Sequence, residues 1–392
     1  MDPITALLDD LLDEIRPMDD GAPAAYIPEL AAADPDRLAF AVVGPRGRVR
    51  VVGDGEHEFT IQSISKPFVL ALALEECGRE RVLECVGVEP SGEPFNAISL
   101  AHDTGRPANP MVNAGAIATT ALVGEPESDI DERTARIVSK LSAFAGRSLW
   151  VDEAVYASES ATGDRNRALG HLLRSYGVMT GSVEAAVETY FRQCSLLVTV
   201  RDLAVMAGTL AFGGVNPVTG VRVVSTRVAR DVLSIMSSCG MYDYSGEWLL
   251  RVGLPAKSGV SGGLLAVAPS QFGVAAFSPR LDAHGNSVRA IAAVETVSDR
   301  FDMHLLESHE NVAVPALRIE RTGEGRVVHL GGELGFSGTE RVIGVLREIA
   351  ASVPDGTEVV VDASELARTH PAALIALRAE FEGMPEGFRL AE

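Results

Sequence analysis

Basic residues are in short supply. The 392 residues hold 34 Lys and Arg against 54 Asp and Glu, a formal net charge of −20, which argues against a nucleic-acid-binding surface and suits a soluble enzyme. Cysteine is scarce too: Cys77, Cys85, Cys194 and Cys239 have no metal-ligand spacing and are expected to be reduced thiols in the core of a cytoplasmic protein. His57, His102 and His171 also lack metal spacing, and His284 falls in the turn 282–286, so no metal site is expected. No apolar run reaches the length of a bilayer span, which leaves no membrane partner. Residues 1–20 are acidic, with no basic stretch ahead of an apolar one, so no secretory signal is expected there. Internal repeats and low-complexity linkers are absent.

What is present is ample apolar content, 46% of residues, on a chain long enough for two or three domains. Ile4, Leu7, Leu8, Leu11, Leu12 and Ile15 follow helical spacing and predict an amphipathic N-terminal helix. Ala39–Val43 and Val49–Gly53, joined through Gly44-Pro45-Arg46-Gly47, read as a hairpin. Leu264–Ala268, Gly273–Phe277 and Ala290–Val294 read as further strands, and the stretch 130–241 between the two groups is mostly helical. Strands drawn from both ends of one region imply a single antiparallel sheet with flanking helices and a helical subdomain beside it, an α/β (α+β) fold. After Glu307 the pattern changes. Strands at Arg326–Leu330 and Glu358–Asp362, followed by helices over 337–352 and 371–381, describe a small α/β module, with the boundary near residues 312–317.

The chemistry is concentrated where Gln62-Ser63-Ile64-Ser65-Lys66-Pro67 runs into the apolar stretch Phe68–Leu74. Residues three apart on a helix share a face, so Ser63 and Lys66 can meet; Pro67 fits because a first helical turn has no N–H bonds to lose. A helix start favours an alkoxide and an oxyanion, and a lysine in an apolar pocket has a lowered pKa and can take the serine proton. Ser-x-x-Lys alone is a short pattern. It gains weight from Lys257-Ser258-Gly259, ahead of Val260-Ser261-Gly262-Gly263 and an apolar strand, which resembles the Lys-Thr-Gly element of the serine β-lactamases and penicillin-binding proteins.

Eight separated blocks extend the resemblance. They are 26–30 (Tyr-Ile-Pro-Glu-Leu), 62–66, 87–92 (Gly-Val-Glu-Pro-Ser-Gly), 109–117 (Asn-Pro-Met-Val-Asn-Ala-Gly-Ala-Ile), 163–167 (Gly-Asp-Arg-Asn-Arg), 190–195 (Tyr-Phe-Arg-Gln-Cys-Ser), 239–243 (Cys-Gly-Met-Tyr-Asp) and 255–263. Over residues 20–302 the chain resembles the serine-dependent glutaminases, relatives in fold of the β-lactamases. The resemblance implies a domain over 1–310 that hydrolyses L-glutamine to L-glutamate and ammonia without a cofactor, through a γ-glutamyl ester on Ser63 with Lys66 as base. Tyr242 is implied to lie close to that pair, Tyr190 to close the pocket, and the N–H groups of Ser63 and Val260 to hold the oxyanion. Glu159 resembles the group that binds the α-ammonium; Asn113 and Asn166, with Tyr26 nearby, resemble the carboxylate-binding group. Gln62 completes the implied substrate-binding set. A homodimer or homotetramer is also implied.

Each residue has a plainer reading on its own. Asn113 could cap the helix 114–122. Glu159 and Asn166 lie in a polar stretch, 158–167, that alone would be a solvated loop, and Tyr190 and Tyr242 could be half-buried tyrosines bonded to carbonyls. No equivalent of the lactamase deacylating glutamate is identifiable, so the activation of water in the second half-reaction stays open.

The tail, 318–392, resembles a STAS domain through His329–Leu334 and Val359–Ser364, in an incomplete form. Thr369-His370-Pro371-Ala372-Ala373 stands where regulatory members carry a phosphorylatable serine, so a degenerate module that packs or binds a protein or small ligand is expected. Two rival readings remain at this stage: a penicillin-binding or lactam-hydrolysing serine enzyme, and a non-catalytic regulator acting through the tail.

Overall fold

Apolar residues at every position of three strands dictate a sheet covered on both faces. Ala39–Val43, Gly263–Ala268 and Phe272–Phe277 are buried throughout, whereas the edge strand Val49–Gly53 alternates between buried and half-buried side chains. The structure is a computed structural model that describes residues 2–92, 98, 100–307, 316–323, 325–354 and 356–391. Its main sheet has five strands in the spatial order Val49–Gly53, Ala39–Val43, Phe272–Phe277, Gly263–Ala268, Ala256–Ser258, all antiparallel. The sheet is assembled from both ends of its region, as the sequence pattern requires.

One expected strand is a helix. Ala290–Val294 lies inside the helix Val288–Arg300. Its apolar residues suit either state, but Ala290, Ala293, Val294 and Val297 are the deeply buried ones, at spacings of three, four and seven. That is the period of a helix face, and alanine favours the helix. The polar stretch 158–167 is likewise not a loop: it belongs to the helices Glu153–Thr162 and Asp164–Ser175, which meet at Gly163. The first is started by Asp152, whose side chain accepts hydrogen bonds from the N–H groups of Ala154 and Val155.

The helix Val200–Ala211 begins with a reciprocal cap between Thr199 and Asp202 and packs across the central strands. The approach is so close that a Cβ on Gly273 would stand 2.1 Å from the Gly208 nitrogen and 2.3 Å from the Ala204 carbonyl oxygen. Glycine is therefore required there for backbone proximity. Beside the sheet, the helices Asn113–Ala121, Asp164–Ser175 and Val183–Cys194 share a separate core of residues such as Ile117, Leu173, Val187 and Phe191. This is the helical subdomain.

Contacts divide the chain into two units, Leu11–Thr296 and a second formed by Met1–Asp10 with Val297–Glu392. The predicted N-terminal helix is present as Pro3–Ile15. The second unit contains a four-stranded sheet in the order Phe388–Ala391, Val359–Thr369, Gly325–Leu334, Ala316–Thr322. The first three strands are parallel and the last pair antiparallel. Helices Phe336–Ser352 and Pro371–Glu382 complete the unit. Ala316–Thr322 was not recognised as a strand from sequence, and the expected boundary at 312–317 lies largely outside the described residues. Among the described residues no helix is long and apolar enough to cross a membrane. All four cysteines are free, three of them buried.

The contact at Gly273 gives a direct test of the packing. Gly273→Ala is expected to lower the thermal midpoint by several degrees, because overpacking of a rigid core costs about 1–3 kcal/mol. Thermal melting followed by circular dichroism measures it; an unchanged midpoint would mean that the Val200–Ala211 helix can retreat from the sheet.

Candidate active site

Ser63 sits in a tight 3-10 turn, Gln62–Ser65, that passes without interruption into the helix Lys66–Cys85. Gln62 opens the turn with a φ of 49°, a left-handed conformation uncommon for a residue with a side chain. The expected pair is formed: Lys66 Nζ lies 2.9 Å from Ser63 Oγ and donates to Asn113 Oδ1 at 2.8 Å. Lys66 is 0% exposed, and this burial lowers its pKa to about 8. Near neutral pH a useful fraction of Lys66 is then the free amine, a competent proton acceptor.

The edge strand Ala256–Ser258 reaches this turn through Gly259. A Cβ there would stand 3.0 Å from the Ile61 carbonyl oxygen and 3.4 Å from Gln62 Cβ, so a side chain would push the strand away. The N–H groups of Ser63 and Val260, one on each side of this approach, have no hydrogen-bond partner among the described residues. Two free donors near a nucleophile are what an oxyanion requires.

Tyr242, also in the left-handed region at φ 59°, has two lysines close to its ring. Lys257 Nζ is 3.7 Å and Lys66 Nζ 5.7 Å from the ring centroid. The Tyr242 hydroxyl donates to the Ser258 carbonyl at 3.4 Å. Burial raises its pKa well above the ordinary value, against the opposing effect of its hydrogen bond with Ser63, so it remains a neutral phenol. Lys257 is fully buried and donates to the Ser258 carbonyl at 2.8 Å. Burial first, and then the charge of Lys66, holds it well below the usual lysine range.

Two hydrogen-bonded chains run outward from this centre. In one, Asn113 Oδ1 accepts from Lys66 and, at 3.2 Å, from the Tyr190 hydroxyl, while Asn113 Nδ2 donates to Asn166 Oδ1 at 3.0 Å. Asn113 is thus no helix cap: Val112 holds that position, and the asparagine side chain turns inward. In the other, Glu159 Oε1 accepts from the Tyr26 hydroxyl at 2.6 Å and from Gln62 Nε2 at 3.2 Å. Glu159 Oε2 has no hydrogen-bond partner among the described residues. Burial raises the Glu159 pKa, and those two donors partly offset the effect. Tyr26 is 49% exposed as a whole residue, and its hydroxyl is turned onto Glu159.

Sequence reasoning missed the supports. Gln193 Nε2 donates to Ser65 Oγ at 3.3 Å and its Oε1 accepts from Thr120 at 2.9 Å, tying the nucleophile turn to two helices. Ser258 Oγ donates to Asn286 Oδ1 at 2.5 Å behind the edge strand. Glu188 joins three helices from a buried position. The one signal available was a polar residue on the apolar face of a predicted helix.

Comparison with known proteins identifies the family. The glutaminase family model matches residues 21–306. Over 373 residues the chain is 46% identical to a glutaminase of Corynebacterium glutamicum, covering 95% of this chain and 89% of that one. It is 48% identical over 383 residues to glutaminase 2 of Bradyrhizobium diazoefficiens, covering 92% of this chain but only 60% of the relative. Among solved structures, Mglu superposes with a TM-score of 0.77 at 42% identity, covering 100% of this chain and 98% of Mglu; Mglu has also been solved in a glutamate form. The mixed α/β fold with its antiparallel sheet and flanking helices is that of these structures, and the chain belongs to the glutaminase family, with the activity of a glutamine-hydrolysing amidohydrolase.

Proposed function

We propose that this chain hydrolyses the γ-carboxamide of L-glutamine through a covalent ester on Ser63, with Lys66 as the base. The observation that carries the proposal is a fully buried lysine, 2.9 Å from the serine oxygen, whose pKa burial lowers to about 8. Ser63 Oγ attacks the amide carbon as its proton passes to Lys66 Nζ. The carbonyl oxygen, now an oxyanion, accepts from the Ser63 and Val260 N–H groups. Lys66 returns the proton to the departing nitrogen, the C–N bond breaks, and ammonia leaves a γ-glutamyl-Ser63 ester. Water then attacks the ester carbon, and Ser63 recovers its proton as glutamate departs. Tyr242, held as a neutral phenol against Ser63, relays protons within this group and is not the base.

The α-amino-acid end is bound by the two outer chains. Glu159 Oε2 accepts the α-ammonium, while the Asn113 and Asn166 amides bind the α-carboxylate; Tyr190 orients Asn113, and Tyr26 and Gln62 orient Glu159. A lactam-hydrolysing enzyme would share Ser63 and Lys66 but has no use for this set. A regulator without catalysis would need neither.

The division into a catalytic region over 1–310 and a tail over 318–392 is part of the same reading. The mixed sheet with two helices supports a STAS-like module. His370, not a serine, starts its last helix, and its Nδ1 accepts from the Ala372 N–H at 3.3 Å, which favours a packing or binding role over a phosphorylation switch. We place the protein in the cytoplasm and expect a homodimer or homotetramer.

Ser63→Ala is expected to reduce glutamine turnover by several orders of magnitude with the thermal midpoint unchanged. Ammonia release measured beside nitrocefin hydrolysis tests it; more than a few per cent of residual activity in folded protein would remove Ser63 from the mechanism. The base predicts a pH limb. Only neutral Lys66 accepts a proton, so kcat/KM should fall about tenfold per pH unit below the pKa and rise to half its plateau near pH 8. A rate that decreases from pH 6 to pH 8 would contradict the assignment.

A further inference from the structure

Outside the reacting centre, one buried carboxylate gathers more hydrogen bonds than any role described so far requires. Glu188, 8% exposed, lies on the helix Val183–Cys194, among buried apolar neighbours. Its Oε1 accepts from Arg167 at 2.5 Å and from Ser160 Oγ at 3.2 Å. Its Oε2 accepts from Tyr156 at 2.9 Å and from Ser160 Oγ at 3.0 Å. Arg167 adds a bond to the Ser160 carbonyl at 2.7 Å and lies over the Phe191 ring, 5.4 Å from its centroid.

The partners are placed in a particular way along the chain. Ser160 follows Glu159, Arg167 follows Asn166, and Glu188 stands two residues before Tyr190. Adjacent residues on a helix point about 100° apart, so the face that carries each recognition residue toward substrate is held from the side by a residue bonded to Glu188. The joint between the first two helices is packed tightly as well: a Cβ on Gly163 would meet Phe191 at 2.1 Å. Rotation of either helix would move Glu159 or Asn166 and break a bond to a buried carboxylate, which is costly because the charge would lose its partner.

We infer that Glu188 is a positioning residue for substrate recognition: it fixes the mutual orientation of Glu159, Asn166 and Tyr190, and thereby sets the preference for an intact α-amino acid, without touching substrate. The inference rests on the assignment of Glu159 and Asn166 to the α-ammonium and α-carboxylate. Glu188 itself is bonded to Arg167, Ser160 and Tyr156, whereas Lys66 is joined to Asn166 and Tyr190 through Asn113.

The test is Glu188→Gln in the full chain, compared with wild type and with Glu159→Gln, assayed on glutamine and on glutaramate, which lacks the α-ammonium. The expected result is a KM for glutamine raised at least about tenfold, with kcat within about threefold. The glutamine-to-glutaramate ratio should fall toward that of Glu159→Gln, and the Lys66 pH limb should stay in place. If Glu159→Gln shifts the ratio and folded Glu188→Gln does not, or if Glu188→Gln loses kcat as much as kcat/KM, the inference fails while the assignment of Glu159 stands. If neither variant shifts the ratio, the assignment of Glu159 fails and the inference with it. Should Glu188→Gln not fold, Ser160→Ala, which keeps the carboxylate and its arginine, is judged by the same KM and ratio criteria.

Discussion

A lysine with no exposed surface is the constraint around which the catalytic unit is built. Transferring an ammonium group out of water is expensive, and a buried lysine answers either by pairing with a carboxylate or by giving up its proton. Lys66 is given neutral acceptors, Ser63 Oγ and Asn113 Oδ1. A carboxylate in place of Asn113 would hold the proton on the lysine and end the base role proposed for it. Glu159, the carboxylate proposed to meet the substrate's ammonium, is instead engaged by Tyr26 and Gln62. The separation of acid from base in the pocket follows from that single requirement.

The same requirement explains why the surroundings are so tightly packed. Burial is what lowers the lysine pKa, so every element around Lys66 must exclude water. Gly273 and Gly208 let a helix lie against the sheet, and Gly259 lets the edge strand press on the nucleophile turn. Two non-glycine residues at positive φ, Gln62 and Tyr242, face this crowded junction. Backbone strain of about 1–3 kcal/mol at such positions persists only where the surrounding packing fixes it. Lys257, buried against the Tyr242 ring, is subject to the same desolvation and is further destabilised as a cation by Lys66. The ring thus lies beside two amines that cannot comfortably both be charged.

The residues proposed to react could be picked out in the sequence because each sits beside an element whose pattern is local. A serine three residues before a lysine, a proline tolerated only in a first turn, and an apolar run are all contiguous, and the Lys-Ser-Gly strand is followed by its own glycine turn. Asn113, Glu159 and Asn166 carried no such local sign; only the resemblance of whole blocks pointed to them. The residues that support them left little sign beyond a polar residue on an apolar helix face, because Glu188 and Ser160 are distant in sequence and meet only after the helices pack. Ala290–Val294 was misread for a related reason. A short alanine-rich run lacks the length to show its period, and the decision between strand and helix was made by what buries Ala293 and Val297.

The residues proposed for chemistry and those proposed for recognition are held by different physics. Ser63, Lys66 and Val260 are fixed by close backbone approach between a turn, a helix and a strand, where displacement means steric overlap. Glu159, Asn166 and Tyr190 are fixed by hydrogen bonds among helices, where displacement means an unpaired buried charge at Glu188. Steric constraint is steep and short-ranged, which suits bond making at a carbonyl carbon. Directional bonds between rigid helices fix rotation, the motion that would matter most for the ammonium- and carboxylate-binding roles proposed for these residues.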